Sequence, residues 1–148
     1  MPVISGSSSV EVDAPIERCW EVVEDVASAS DWQGGLLQLE VIERDEQERP
    51  LVCDTLTDAK VRKVRTRQRF SYEAPNRLSW EMLEGELDSM EGYWELEDLG
   101  GGRTRVTYGL AVDPGSVGRL TRGPLERAAR AILVTPRAKE LARRVEEG

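Results

Sequence analysis

Histidine is absent from the chain, and cysteine occurs twice, at Cys19 and Cys53. Without histidine the commonest general base and metal ligand near neutral pH is missing. Two scattered thiols provide neither a disulfide framework nor the clustered ligands of a zinc site. Metal and cofactor binding are therefore not expected. No run of about 18 apolar residues occurs, so stable membrane insertion is not expected. The start, Met1-Pro2-Val3-Ile4-Ser5-Gly6, lacks the basic and apolar regions of a signal peptide. These absences predict a cytoplasmic protein with reduced thiols.

Basic charge is also scarce. The formal net charge is -8, with 28 acidic and 20 basic residues among 148. Phosphate neutralisation needs a basic surface, so nucleic acid is not an expected partner. The imbalance is uneven, since residues 61–80 carry six basic groups against one acidic and residues 81–100 carry eight acidic and none basic. Cross-strand pairing on a solvated sheet face accounts for such complementary blocks.

What is present is alternation. Segments 7–12, 36–44, 51–57, 61–72 and those following read as strands, and Ile16, Cys19, Trp20, Val23 and Val26 recur at helical spacing. Apolar residues on both parities of 36–44 predict a strand covered on two sides. Pairing Tyr72 with Leu78 sets Phe70 opposite Trp80, Gln68 opposite Met82 and Arg69 opposite Glu81. Continuing, Trp80 is expected opposite Trp94, Met82 opposite Gly92, Trp94 opposite Val106, Glu95 opposite Arg105 and Glu97 opposite Arg103. All three hairpins then place Phe70, Trp80, Met82, Trp94, Leu96, Val106, Tyr108 and Leu110 on one face, because strand side chains alternate.

A helix from Pro124 to Glu146 would cover that face, as a one-sided sheet needs a second layer. Its stripe Leu125, Ala128, Ala129 and Ile132 changes phase beyond Thr135-Pro136 to Ala138, Leu141 and Val145, and Pro136 predicts a kink or restart. Residues 1–148 read as one α+β domain.

Several stretches give this order a family likeness: Val10-Glu11-Val12-Asp13-Ala14-Pro15 running into Val22-Val23-Glu24-Asp25, then Asp31-Trp32, and Val41-Ile42-Glu43-Arg44-Asp45. The later hairpin, Gly92-Tyr93-Trp94-Glu95-Leu96 with Gly102-Arg103-Thr104-Arg105-Val106-Thr107-Tyr108, belongs with them. Together they resemble the START-like helix-grip (SRPBCC) superfamily, in particular its polyketide cyclase/dehydrase and coenzyme Q-binding branch. The resemblance implies a curved antiparallel sheet gripping a long C-terminal helix, with two short helices after the first strand. It also implies a cavity for a lipid, quinone or polyketide-like molecule.

The expected ligand-binding residues are Gln68, Phe70, Tyr72, Trp80, Met82, Trp94, Leu96 and Tyr108 from the sheet, with Leu125, Ala129 and Ile132 from the helix. No catalytic residue is assigned, because no acid–base pair is visible and Arg65, Arg67 and Arg69 have outward parity. The alternatives are a polyketide cyclase/aromatase using the same cavity and a protein-interaction module like the family's ribosome-associated toxins. The stripe Ala138, Leu141 and Val145 is read as internal packing, with a contact to a partner chain, a homodimer among them, or to a membrane surface as its alternative.

Overall fold

A computed structural model describes residues 4–59, 63–115, 127, 130, 131 and 133–147. The element order is β1 (Ile4–Val12), α1 (Ile16–Glu24), a 3-10 helix (Val26–Asp31), β2 (Leu36–Arg44), β3 (Pro50–Asp58), β4 (Lys63–Glu73), β5 (Arg77–Gly85), β6 (Ser89–Gly100), β7 (Arg103–Asp113) and the C-terminal helix, here α2 (Arg137–Glu147). The seven strands form one antiparallel sheet in the order β1-β7-β6-β5-β4-β3-β2. Helices cover its inner face, giving the α+β helix-grip arrangement.

Alternation is cleanest in β4. Val64, Thr66, Gln68 and Phe70 are buried, whereas Lys63, Arg65, Arg69 and Ser71 are exposed. The β4–β5 pairing is as expected, with Phe70 opposite Trp80 and Gln68 opposite Met82. The next two hairpins differ from expectation by two residues. Trp80 faces Gly92 and Leu78 faces Trp94, while Trp94 faces Tyr108 and Leu96 faces Val106. In the β6–β7 hairpin the cause is local: Gly101 and Gly102, both at positive φ, make a two-residue turn, and a bulge at Leu99 absorbs the extra residue. A shift of two preserves the face, so the predicted inner set remains inside. The outer ion pairs become Arg105–Glu97 at 2.7 Å and Arg77–Glu95 at 2.6 Å.

Strand β2 is an edge strand and is not covered on both sides. Leu37 and Ile42 are skipped in the pairing with β3 and are exposed. Two bulges, rather than a second layer, put apolar residues on both parities.

The C-terminal segment breaks where Pro136 requires. Leu133 is helical, residues 134–136 form a turn, and α2 begins at Arg137. Ser8 of β1 enters the break: its Oγ donates to the Val134 carbonyl at 3.0 Å and accepts from the Ala138 N–H at 3.4 Å. Those groups would pair with each other in an unbroken helix. The hydroxyl thus stands inside the hydrogen-bond ladder and holds the bend. Beyond it, Ala138, Leu141 and Val145 join the core with Ile16, Cys19 and Trp20 of α1 and Leu96 and Val106 of the sheet. The second stripe is therefore internal packing. No helix among the described residues is long and apolar enough to cross a membrane.

Replacing Ser8 with Ala removes the acceptor of the Ala138 N–H, while the Val134 carbonyl still accepts from the Arg137 N–H at 3.2 Å, and the expected loss is about 1–3 kcal/mol. Urea unfolding of Ser8→Ala checks this; an unchanged midpoint would show that the inserted hydroxyl does not hold the bend.

Candidate functional site

Between the inner face of the sheet and the helices lies a cavity of about 180 Å³. This exceeds the roughly 150 Å³ of an apolar protein cavity known to admit benzene. Its floor is aromatic. Phe70 and Trp80 have ring centroids 6.0 Å apart, Trp80 and Tyr108 5.7 Å, Trp94 and Tyr108 4.8 Å, and Trp32 and Trp94 5.9 Å. The tilted rings are within the 4.5–7 Å range of favourable aromatic pairs. Gly92 makes this floor possible: a β-carbon there would lie 2.5 Å from the Trp80 indole, which rests on the bare backbone.

Of the residues expected at the site, Gln68, Phe70, Trp80, Trp94 and Tyr108 line the cavity. Tyr72, Met82 and Leu96 share the inner face but do not line it. Tyr72 donates to the Pro50 carbonyl at 2.5 Å beneath the Arg49 guanidinium, which stacks 4.3 Å from its ring centroid. Leu96 belongs to the closed core under α1. Leu125, Ala129 and Ile132 lie outside the described residues. Leu133, one residue on from Ile132, does line the cavity.

Sequence reasoning missed Trp32, Val23, Val26 and Arg137 in the wall. Val23 and Val26 follow the apolar period of α1, which continues into the 3-10 helix and could have marked them. Arg137 has a weaker signal, an arginine four residues before Leu141 and three before Glu140. It is only 4% exposed, and its Nη1 donates to Glu140 Oε1 at 2.5 Å. Glu140 Oε2 in turn accepts from the Gly34 N–H at 3.2 Å, tying the 33–35 loop to α2. Trp32, Gln33 and Gly34 border both the cavity and a surface cleft beside Glu140 and Arg143, so the interior approaches solvent there.

The cavity has two polar places. Near α2, the Tyr108 hydroxyl interacts with Arg137; burial pushes its pKa up to about 12 against the opposing pull of the guanidinium. The phenol is thus a neutral hydrogen-bond donor at ordinary pH. Across the sheet, Thr55, Thr66 and Gln68 form a buried polar corner, with Thr55 Oγ1 and Thr66 Oγ1 2.8 Å apart. The cavity-lining residues that are described include no carboxylate. Both thiols are buried away from nucleophilic use: burial raises the pKa of Cys19, and that of Cys53 rises to about 11. No group of three His, Cys, Asp or Glu among the described residues could hold a metal ion.

Fold and cavity together define a START-like helix-grip protein with an interior apolar site. The chain belongs to the polyketide cyclase/dehydrase and lipid transport family, whose sequence model matches residues 3–146. Similar solved structures include a START superfamily protein from Mycobacterium smegmatis, 21% identical over 97% of each chain with a TM-score of 0.83. A Thermus thermophilus protein is 24% identical over 99% of this chain and 98% of its own, with a TM-score of 0.81. The Zhui aromatase/cyclase from a Streptomyces species is 18% identical over 99% of this chain and 95% of its own, also with a TM-score of 0.81. At these identities the likeness is one of fold. No curated protein sequence matches the chain.

The raised pKa of Tyr108 has a consequence for stability. The unfolded phenol ionises from about pH 10, whereas the folded one resists until about 12. Its stabilising contribution is complete below pH 10 and is lost as pH rises towards 12. Tyr72, also raised chiefly by burial, acts in the same direction. Urea midpoints measured between about pH 9 and 11.5 should fall less steeply for Tyr108→Phe than for the parent chain. Equal slopes would contradict a buried, neutral Tyr108.

Proposed function

We propose that the protein binds or carries a hydrophobic or aromatic small molecule, such as a lipid, a quinone or a polyketide-like ring system, in the cavity between sheet and C-terminal helix. The supporting observation is the cavity itself: an interior space floored by Phe70, Trp80, Trp94 and Tyr108. Protein interiors are ordinarily close-packed, and an interior apolar space of this size with a few polar groups in its wall suits a small-molecule ligand. Burial of apolar ligand surface supplies the driving force, and the two polar places set orientation. Membership of a family described by both cyclisation and lipid transport is consistent with this reading.

Polyketide cyclisation in the same cavity is the second reading. Tyr108 and Arg137 favour it, since a phenol donor beside a guanidinium suits a developing enolate oxygen. It also needs a base, which the described cavity wall does not offer, so binding is placed first.

Titration with N-phenyl-1-naphthylamine, a neutral apolar fluorophore, tests the binding reading. Saturable one-to-one enhancement is expected, with energy transfer from Trp80 and Trp94. Leu110, opposite Gly92 on the cavity wall, provides the control. Leu110→Trp should fill the space and weaken binding at least about tenfold. No saturable binding, or equal affinity in the variant, would rule out this cavity as the site.

A further inference from the structure

We infer that the Thr55–Thr66–Gln68 corner is a recognition site for a hydroxyl group, so that the ligand class is a phenol or other aromatic alcohol rather than a plain hydrocarbon or an ether. This rests on the binding reading and narrows it.

All three side chains are more than nine-tenths buried, and all three line the cavity. They come together because Thr55 and Thr66 are direct cross-strand partners on β3 and β4, and Gln68 is two residues farther along the same face of β4. Gln68 Nε2 donates to Thr66 Oγ1 at 2.9 Å and to Thr55 Oγ1 at 3.2 Å, and the two hydroxyl oxygens share a hydrogen at 2.8 Å.

Counting the hydrogens shows what is left over. The corner has two hydroxyl hydrogens, and the threonine–threonine bond uses one. The other has no acceptor among the described residues, and Gln68 Oε1 accepts from no described donor. Among the described residues no side-chain oxygen or nitrogen fully shut off from solvent lacks a partner, so Oε1 is open to the cavity.

The corner therefore offers one hydroxyl donor and one amide acceptor. An alcohol or phenol satisfies both at once, accepting from the threonine and donating to Gln68. An ether oxygen can only accept, and it leaves Oε1 facing an apolar group. Buried polar groups that lose their partner are what makes such a site discriminate. The neighbouring floor adds the ring requirement, because Phe70 is two residues beyond Gln68 on the same face and pairs with Trp80.

Isothermal titration of 2-naphthol and of its methyl ether separates hydroxyl recognition from simple burial. The parent protein should bind 2-naphthol about tenfold more tightly than the ether. In Gln68→Leu and in Thr66→Val, two variants of similar shape to the parent residues, the ratio should fall to within about twofold. Equal affinities in the parent, or a ratio unchanged in both variants, would overturn the hydroxyl site while leaving the cavity's binding role intact. Failure of the parent to bind either compound would overturn the binding reading, and the hydroxyl site with it.

Discussion

Ser8 stands where the C-terminal helix would otherwise close its own ladder, with Val134 on one side of its hydroxyl and Ala138 on the other. Pro136 has no N–H to contribute, and the chain on either side of it must turn. The serine fixes that turn against β1, so two stretches of one helical segment do different work. Leu133, before the turn, reaches the cavity. The stretch from Ala138 to Val145 packs against α1 and closes the other end of the sheet. A straight helix could not serve both ends, because at about 3.6 residues per turn Ala138, Leu141 and Val145 would lie on a different side from Leu133.

With that bend in place the inner face divides into a packed region and an open one. Trp94 spans the boundary, joining the core of α1 and α2 while its ring contacts Tyr108 and Trp32 at the cavity. Charged pairs decorate the outside of the sheet, where Arg67 clasps Asp54 through Nε at 2.7 Å and Nη2 at 3.0 Å. These bonds hold the Asp54 carboxyl below its usual range. Arg137 is the exception, a cation admitted to the wall because Glu140 neutralises it and Tyr108 lies beside it. Buried charges require this kind of company.

Much of the fold was legible from parity alone. The inward set on β4 through β7 follows from alternation, and alternation survives a register error of two, which is why Phe70, Trp80, Trp94 and Tyr108 lie on the expected face although the partners differ in two of the three hairpins. What was not legible depends on residues that break the period. Leu99, Leu37 and Ile42 are left out of the ladders at bulges, and no composition signal distinguishes a bulged leucine from a paired one. Site membership was harder still, because facing inward does not mean facing empty space. Tyr72 and Leu96 point inward and are covered, whereas Trp32 and Arg137 come from a helix end and a helix start whose approach depends on tertiary packing.

The central claim is that the space above Phe70, Trp80, Trp94 and Tyr108 holds an aromatic ligand with its hydroxyl at Gln68. A crystal structure of the protein saturated with 2-naphthol addresses it most directly. The account predicts planar density over the Trp80 and Tyr108 rings, with the ligand oxygen within hydrogen-bond distance of Gln68 Oε1 and a threonine Oγ1. Density on the outer face of the sheet beside Tyr93, or side chains collapsed into the cavity, would contradict it.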